Sequence, residues 1–143
     1  MKRDYGIFQV GLKILLRKGG MVLFLRDDQG LDLPGGRIDN VEYQVSLEKI
    51  IAREVREELG RSVKYVLGKP LFHFRRKRFL KDAHPQFVFL VVYGARWIAG
   101  NITLSHEHES YEWVDPKKYI LRRSDFGQAE EYRALLHYFR RHA

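Results

Sequence analysis

An α/β fold of the α+β kind, a mixed sheet with helices packed on it, is what this sequence predicts, and three observations carry the prediction. Apolar and polar residues alternate in several short runs, two longer stretches repeat apolar residues at helical spacing, and the order is strands, helix, strands, helix. No internal repeat or low-complexity linker interrupts it. A chain of 143 residues predicts one domain spanning 1–143, large enough for a two- or three-layer core without covalent staples.

Phe8, Val10, Leu12, Ile14 and Leu16 alternate with Gln9, Gly11, Lys13 and Arg17, which predicts a half-buried strand ending at a Gly19-Gly20 turn. Met21 to Leu25 returns as a second strand, Asp27-Asp28-Gln29-Gly30 turns again, and Leu31 to Gly36 is an extended approach to a tight glycine loop. Ser46 is the expected N-cap of a helix running to Leu59, with Gly60 as its stop. Val63–Val66 and Leu71–Phe79 read as two strands separated near Gly68-Lys69-Pro70. After a turn at Lys81 to Pro85, the continuous apolar run Phe87–Tyr93 reads as a central strand. Tyr111–Val114 is a short strand, Asp115-Pro116 opens a turn, and a last helix starts at Asp125 with Phe126, Ala129, Tyr132, Leu135, Leu136 and Phe139 on one stripe.

Composition narrows the classes. With 45% hydrophobic and 13% aromatic residues the chain is a packed protein and not a disordered one. The absence of cysteine excludes a disulfide scaffold and a thiolate metal site and removes the usual argument for secretion, so a cytoplasmic protein is expected. Met1 to Gly6 is followed by no apolar run long enough for a signal peptide, and no membrane partner is expected. A net charge of +8 favours polyanions, whether nucleotides or nucleic acid. Much of it sits in Arg75-Arg76-Lys77-Arg78 and in a tail through Arg140-Arg141 that reads as solvating charge.

The first helix carries the most informative pattern. At about 100° per residue, Glu54, Glu57 and Glu58 share an arc of roughly 100° with Leu47, Ile50 and Ile51 in or beside it, so acids and aliphatics face the same way. Carboxylates turned toward a partly dry cleft repel one another and lose hydration. They need protonation or a strong cation, and a hard divalent ion such as magnesium suits them.

Two segments, Gly36-Arg37-Ile38-Asp39-Asn40-Val41-Glu42 and Arg53-Glu54-Val55-Arg56-Glu57-Glu58-Leu59-Gly60-Arg61, together resemble the Nudix hydrolase box: a glycine, five residues, a glutamate, seven residues, then R-E-U-x-E-E-x-G-U with U aliphatic. Ten residues separate Glu42 from Arg53, three more than the pattern has, and Arg61 replaces the last aliphatic. The order of strands, glycine loop, helix and later strands follows the same family over most of the chain. A salt-bridged surface helix is the plain alternative, with Arg53 and Arg56 pairing with nearby acids. It would need neither the Gly35-Gly36 loop nor the inward aliphatics.

The resemblance implies a Nudix-type α/β/α sandwich. It implies magnesium, with manganese as the substitute ion, held by Glu54, Glu57, Glu58 and the Gly35 carbonyl, while Arg53 orients a glutamate. It also implies a further acid after the central strand. The stretch Leu104-Ser105-His106-Glu107-His108 resembles a segment of diadenosine tetraphosphate hydrolases, which makes Glu107 the first candidate for catalysis and metal binding and Glu109 the second. Glu109 and Glu112 read equally as loop polarity, and His106 and His108 as loop stabilisers. The general base stays open between Glu54, Glu107 and Glu109.

Substrate contacts are thinner. One face of the basic strand offers His73, Arg75 and Lys77 to phosphates, with Phe79 or Tyr111 available to stack on a base. The same strand could simply guard a sheet edge. The activity the resemblance implies is hydrolysis of a nucleoside diphosphate linked to another moiety, with a dinucleoside polyphosphate or nucleoside triphosphate as the nucleotide-like substrate. A non-catalytic nucleotide- or RNA-binding module and an RNA 5′-pyrophosphohydrolase, with RNA as substrate, are the alternatives. Monomer and homodimer are not distinguished.

Overall fold

Among the described residues, seven strands and two helices follow in the order β1 (Phe8–Lys18), β2 (Met21–Asp27), β3 (Gly30–Asp32), β4 (Gly35–Arg37), α1 (Leu47–Leu59), β5 (Lys64–Arg78), β6 (Gln86–Ala99), β7 (Ser110–Val114) and α2 (Ala129–His142). The computed structural model describes residues 1–78 and 84–142. Residues 81–83 of the turn expected at Lys81 to Pro85 and the stacking candidate Phe79 lie outside the described residues.

The strands form one mixed sheet, ordered β3-β2-β1-β6-β5, with β4 also pairing β1 and β7 pairing β2. β1 and β6 run parallel from Phe8↔Phe87 to Arg17↔Arg96, and the other pairings are antiparallel. Two cores lie on opposite faces, which makes the α/β/α sandwich. Leu12, Ile14 and Leu16 pack with Ile50, Ile51, Val55 and Leu59 of α1. Leu15, Leu90, Val92 and Phe74 pack with Leu135, Tyr138 and Phe139 of α2.

Several expectations change. β1 is buried on both faces from Gly11 to Leu16, not half-buried, because the core with α1 covers one face and the core with α2 covers the other. The two strands expected after α1 are one strand, β5, whose pairing with β6 shifts between Leu67 and Pro70 and again between Pro70 and Phe72. The proline bends the strand without ending it, since β5 is the sheet's edge and a missing N–H is tolerated there. α2 begins at Ala129; Asp125 lies in a short 3-10 turn, and Phe126 is buried ahead of the helix. α1 ends as expected. The Ser46 side chain accepts the Lys49 N–H, and Gly60, at φ 92, donates its N–H to the Arg56 carbonyl.

Candidate active site

After β3 the chain turns through Leu33 and Pro34, and β4 lays the Gly35-Gly36 corner against β1, with Lys13 opposite Gly35 and Leu12 opposite Gly36. Gly35 has φ +136, and a Cβ there would meet the Leu12 carbonyl oxygen at 2.0 Å, so no other residue fits without moving backbone. At Gly36 the space that a Cβ would take is filled by the Glu54 carboxylate, 2.5 to 2.6 Å from that position. Glycine is therefore what lets α1 press its acids onto the corner.

α1 does so with two of the three acids Glu54, Glu57 and Glu58. Glu54 and Glu58, four residues apart on one line of the helix, are 7% and 6% exposed, whereas the Glu57 side chain is 58% exposed. Leu47, expected beside them, is largely exposed, because it opens the helix beyond the edge of the core. Glu58 accepts the Gly35 N–H at 3.0 Å. Burial pushes its carboxyl up to about 7, against the opposing pull of Lys13 and of the Gly35 N–H. Burial also raises Glu54, opposed by Arg53 and reinforced by the negative charge of Glu57.

Arg53 is the clasp of this group. Its Nε and Nη2 each donate to Glu42 at 2.7 Å, and its Nη1 lies 2.8 Å from Glu54 Oε1 and 3.1 Å from Glu57 Oε2. Glu42 therefore reaches its arginine despite the three added residues. The 3-10 turn Asn40–Glu42 holds Glu42 in place, with Asp39 capping it and Glu42 Oε1 accepting the Asp39 N–H, and the added residues follow it.

Around the corner a cleft of about 1640 Å³ brings together Gly35, Gly36, Arg53, Glu54, Glu57, Glu58 and Glu107. Glu107 is exposed at its edge. Glu109 is not part of the cleft wall; its N–H donates to the Arg26 carbonyl, and Glu112 pairs with Arg26 at 3.3 Å. His73, Arg75 and Tyr111 are not among the lining residues either. His73 stacks on Phe89 with centroids 5.4 Å apart, and Arg75 is clasped by Glu130 of α2 through its guanidinium and its backbone N–H. The register explains this. Arg76 lies opposite Val88 and Phe74 opposite Leu90, on the face that carries Gln9, Gly11 and Lys13, so Arg76 and Arg78 face the cleft while His73 and Arg75 face away; Lys77, on the same face as those two but nearer the end of β5, does line the cleft.

A second charged cluster lies beneath the corner and was not legible as a site. Lys13, 4% exposed, donates to the Gly35 carbonyl at 3.0 Å, the Leu33 carbonyl at 3.0 Å and Asp32 Oδ2 at 3.2 Å. Asp32 also meets Arg76 at 2.9 Å and His108 Nε2 at 3.6 Å, and Arg76 continues to the buried Glu131. Burial alone would raise Asp32, but Lys13, His108 and Arg76 together outweigh it and hold its carboxyl well below the usual carboxylate range. His108 is raised, chiefly by its contact with Asp32. Among the described residues, Asp27, Asp32 and His108 bring potential ligand atoms within 4.8 Å of one another. The sequence signal was Leu15. It breaks the polar side of the β1 alternation and shows that the face bearing Lys13 is also covered.

No helix among the described residues is long and apolar enough to cross a membrane. No curated protein matches the chain at the significance required. Among solved structures, a MutT protein from Methanosarcina mazei is 25% identical over 94% of each chain, with a TM-score of 0.71. A NUDIX hydrolase from Nitrosomonas europaea shares 14% identity over 97% of this chain and 74% of its own, with a TM-score of 0.70. An ADP-ribose pyrophosphatase from Streptococcus suis shares 12% over 93% and 90%, with a TM-score of 0.60. The two at lower identity speak for the fold alone. The NUDIX domain model matches residues 8–137, from the first strand through the glycine corner and the acidic helix into α2, and the chain therefore belongs to the NUDIX family of hydrolases, which act on phosphoric anhydrides and generally use a divalent metal.

Proposed function

We propose that the chain is a divalent-metal-dependent pyrophosphohydrolase that splits a nucleoside diphosphate joined to another group, with a dinucleoside polyphosphate or a nucleoside triphosphate as substrate. The observation that carries this reading is the pair of buried carboxylates, Glu54 and Glu58, pressed onto the Gly35-Gly36 corner beside an open cleft. Two desolvated acids with raised protonation constants are an unfavourable arrangement that a bound cation relieves. The donor set is all carboxylate, as magnesium or manganese prefers. The residues fit the ion.

Glu54, Glu57 and Glu58 would hold it. When bound, the ion supplies positive charge against the diphosphate oxygens and the charge that develops on the leaving phosphate. The chain does the rest. Arg53 fixes Glu54 and Glu57 relative to each other through its contacts with both. Arg37 and Arg78, both lining the cleft, offer guanidinium forks to phosphates. Glu107 makes no ion pair among the described residues and faces the cleft, so it is the acid free to take a proton from the attacking water. The cleft exceeds the roughly 300–1,000 Å³ of an ordinary small-molecule site, which supports a substrate with two nucleosides or a long phosphate chain.

The test is a panel of dinucleoside polyphosphates, nucleoside triphosphates and ADP-ribose, incubated with protein and Mg²⁺, with products resolved by ³¹P NMR. Magnesium-dependent cleavage of a phosphoric anhydride, lost in Glu57→Gln, is expected. Absence of product from the whole panel, or an undiminished rate in Glu57→Gln, refutes the reading. The basic cleft wall and the charge of +8 favour one further substrate, RNA carrying a 5′-triphosphate. Pyrophosphate or phosphate release from such RNA would select it. Salt-sensitive RNA binding without any magnesium-dependent product would select a binding module instead.

A further inference from the structure

The glycine corner is gripped from both sides of one residue. On one side the Gly35 N–H is taken by Glu58; on the other the Gly35 carbonyl is taken by Lys13. That second grip is a cation. The three donors of the Lys13 ammonium meet three oxygens, from Gly35, Leu33 and Asp32, at 3.0, 3.0 and 3.2 Å, so its hydrogen-bonding capacity is filled. Oxygens of this kind, two carbonyls and a carboxylate, are also what a hard divalent ion collects. Asp27 and His108 stand next to Asp32, with potential ligand atoms within 4.8 Å. The composition is that of a metal site, and an ammonium sits in it.

We propose that Lys13 is a positioning residue that serves as a permanent cation on the carbonyl side of the glycine corner, confining divalent ions to the carboxylate side formed by Glu54, Glu57 and Glu58. The carboxylate half of this statement rests on the metal reading given above; the carbonyl half rests on the contacts of Lys13 alone. It departs from what the resemblance implies for Gly35, whose carbonyl is committed to lysine. A divalent ion sharing that carbonyl would stand close to a buried ammonium, and like charges repel strongly where water is excluded. A fixed ammonium also holds the corner at any metal concentration. By holding the Leu33 and Gly35 carbonyls it keeps the Gly35 N–H between them, which binds Glu58, in place before an ion arrives.

The experiment is equilibrium binding of Mn²⁺ without substrate, read from the EPR signal of the free ion, for wild type, Lys13→Ala and Lys13→Ala/Asp32→Asn. Lys13→Ala is expected to hold one more Mn²⁺ per chain than wild type, and the added Asp32→Asn to lose that extra ion while keeping the others. Equal stoichiometry in wild type and Lys13→Ala overturns the proposal. A lysine that merely supports the fold would lower the melting temperature and leave the ion count unchanged. Should Lys13→Ala fail to fold, Lys13→Gln donates to the same carbonyls without charge. A gain of one ion in that variant supports the proposal, and no gain overturns it. The two readings fail separately. One Mn²⁺ in both proteins refutes the role of Lys13 and keeps the carboxylate site; none in wild type and one in Lys13→Ala does the reverse.

Discussion

Glu58 ties stability to pH and to metal in a way that can be worked through. Its carboxyl moves from an ordinary 4.5 in the unfolded chain to about 7 in the metal-free fold. Between those values the folded protein holds a proton that the unfolded chain has released, so raising the pH favours unfolding. The contribution is fully present below pH 4.5 and lost as pH rises through 7. At 1.36 kcal/mol for each tenfold change in proton affinity, the loss is roughly 3 kcal/mol, a large part of the 5–15 kcal/mol that holds a domain together.

The assay is urea denaturation at pH 4.5 and pH 8 in EDTA, for wild type and Glu58→Gln. The glutamine amide oxygen can still accept the Gly35 N–H but carries no charge. Wild type should lose about 3 kcal/mol more than the variant across this range, since His108 and the other acids remain in both proteins. Saturating Mg²⁺ at pH 8 should restore wild type, by about 2.7 kcal/mol at a hundredfold excess over Kd, and leave Glu58→Gln unchanged. Parallel pH profiles for the two proteins, or equal stabilisation by Mg²⁺, would refute the account of Glu58 as a desolvated acid awaiting a cation.

Gly36→Ala puts a methyl where the Glu54 carboxylate lies, at 2.5 to 2.6 Å, and should weaken Mg²⁺ binding at least tenfold by calorimetry while the circular dichroism spectrum stays native. Glu57→Gln, at an exposed position, should leave stability within about 0.5 kcal/mol; its turnover, measured with the preferred nucleotide, should fall on the order of a hundredfold, as for loss of a transition-state charge contact. Arg78→Ala should raise KM several-fold, whereas His73→Ala and Arg75→Ala, on the other face of β5, should leave KM within twofold in steady-state assays. Arg53→Lys keeps the charge but loses the fork that joins Glu42, Glu54 and Glu57. Its kcat should drop on the order of a hundredfold, the usual result of a small misplacement of reacting groups, with Mg²⁺ affinity as the companion measurement.

The elements that local chemistry dictates were legible. Ser46 and Gly60 bound α1 where capping requires them, and the mixed sheet follows from strands separated by a helix. Within α1 the angular argument placed Glu54 and Glu58 inward but gave Glu57 the same status. A wheel cannot show how far the partner surface extends, and Glu57 falls at its rim. β5 posed a different difficulty. Period two tells which residues share a face, and it grouped His73 with Arg75 and Arg76 with Arg78. Which group meets the cleft depends on register with β6, a long-range pairing that no local pattern contains. For Lys13, Leu15 signals that its face is covered, but the groups that engage it, Asp32 and the Leu33 and Gly35 carbonyls, come from later strands and the corner between them.

The three residues added between Glu42 and Arg53 show why a loop can lengthen without disturbing the acids. What the site demands is that Arg53 be held, because its guanidinium sets the spacing of Glu54 and Glu57. Two short bonds to Glu42 meet that demand, and Glu42 is fixed in turn by accepting the N–H of Asp39 at the start of a 3-10 turn. The turn is anchored to β1 through Ile38, whose N–H donates to the Val10 carbonyl. Extra chain therefore enters after the anchor and before the helix cap at Ser46, where Tyr43 and Val45 are exposed. Sequence spacing is thus free to vary at this point, while the geometry of the carboxylates is not.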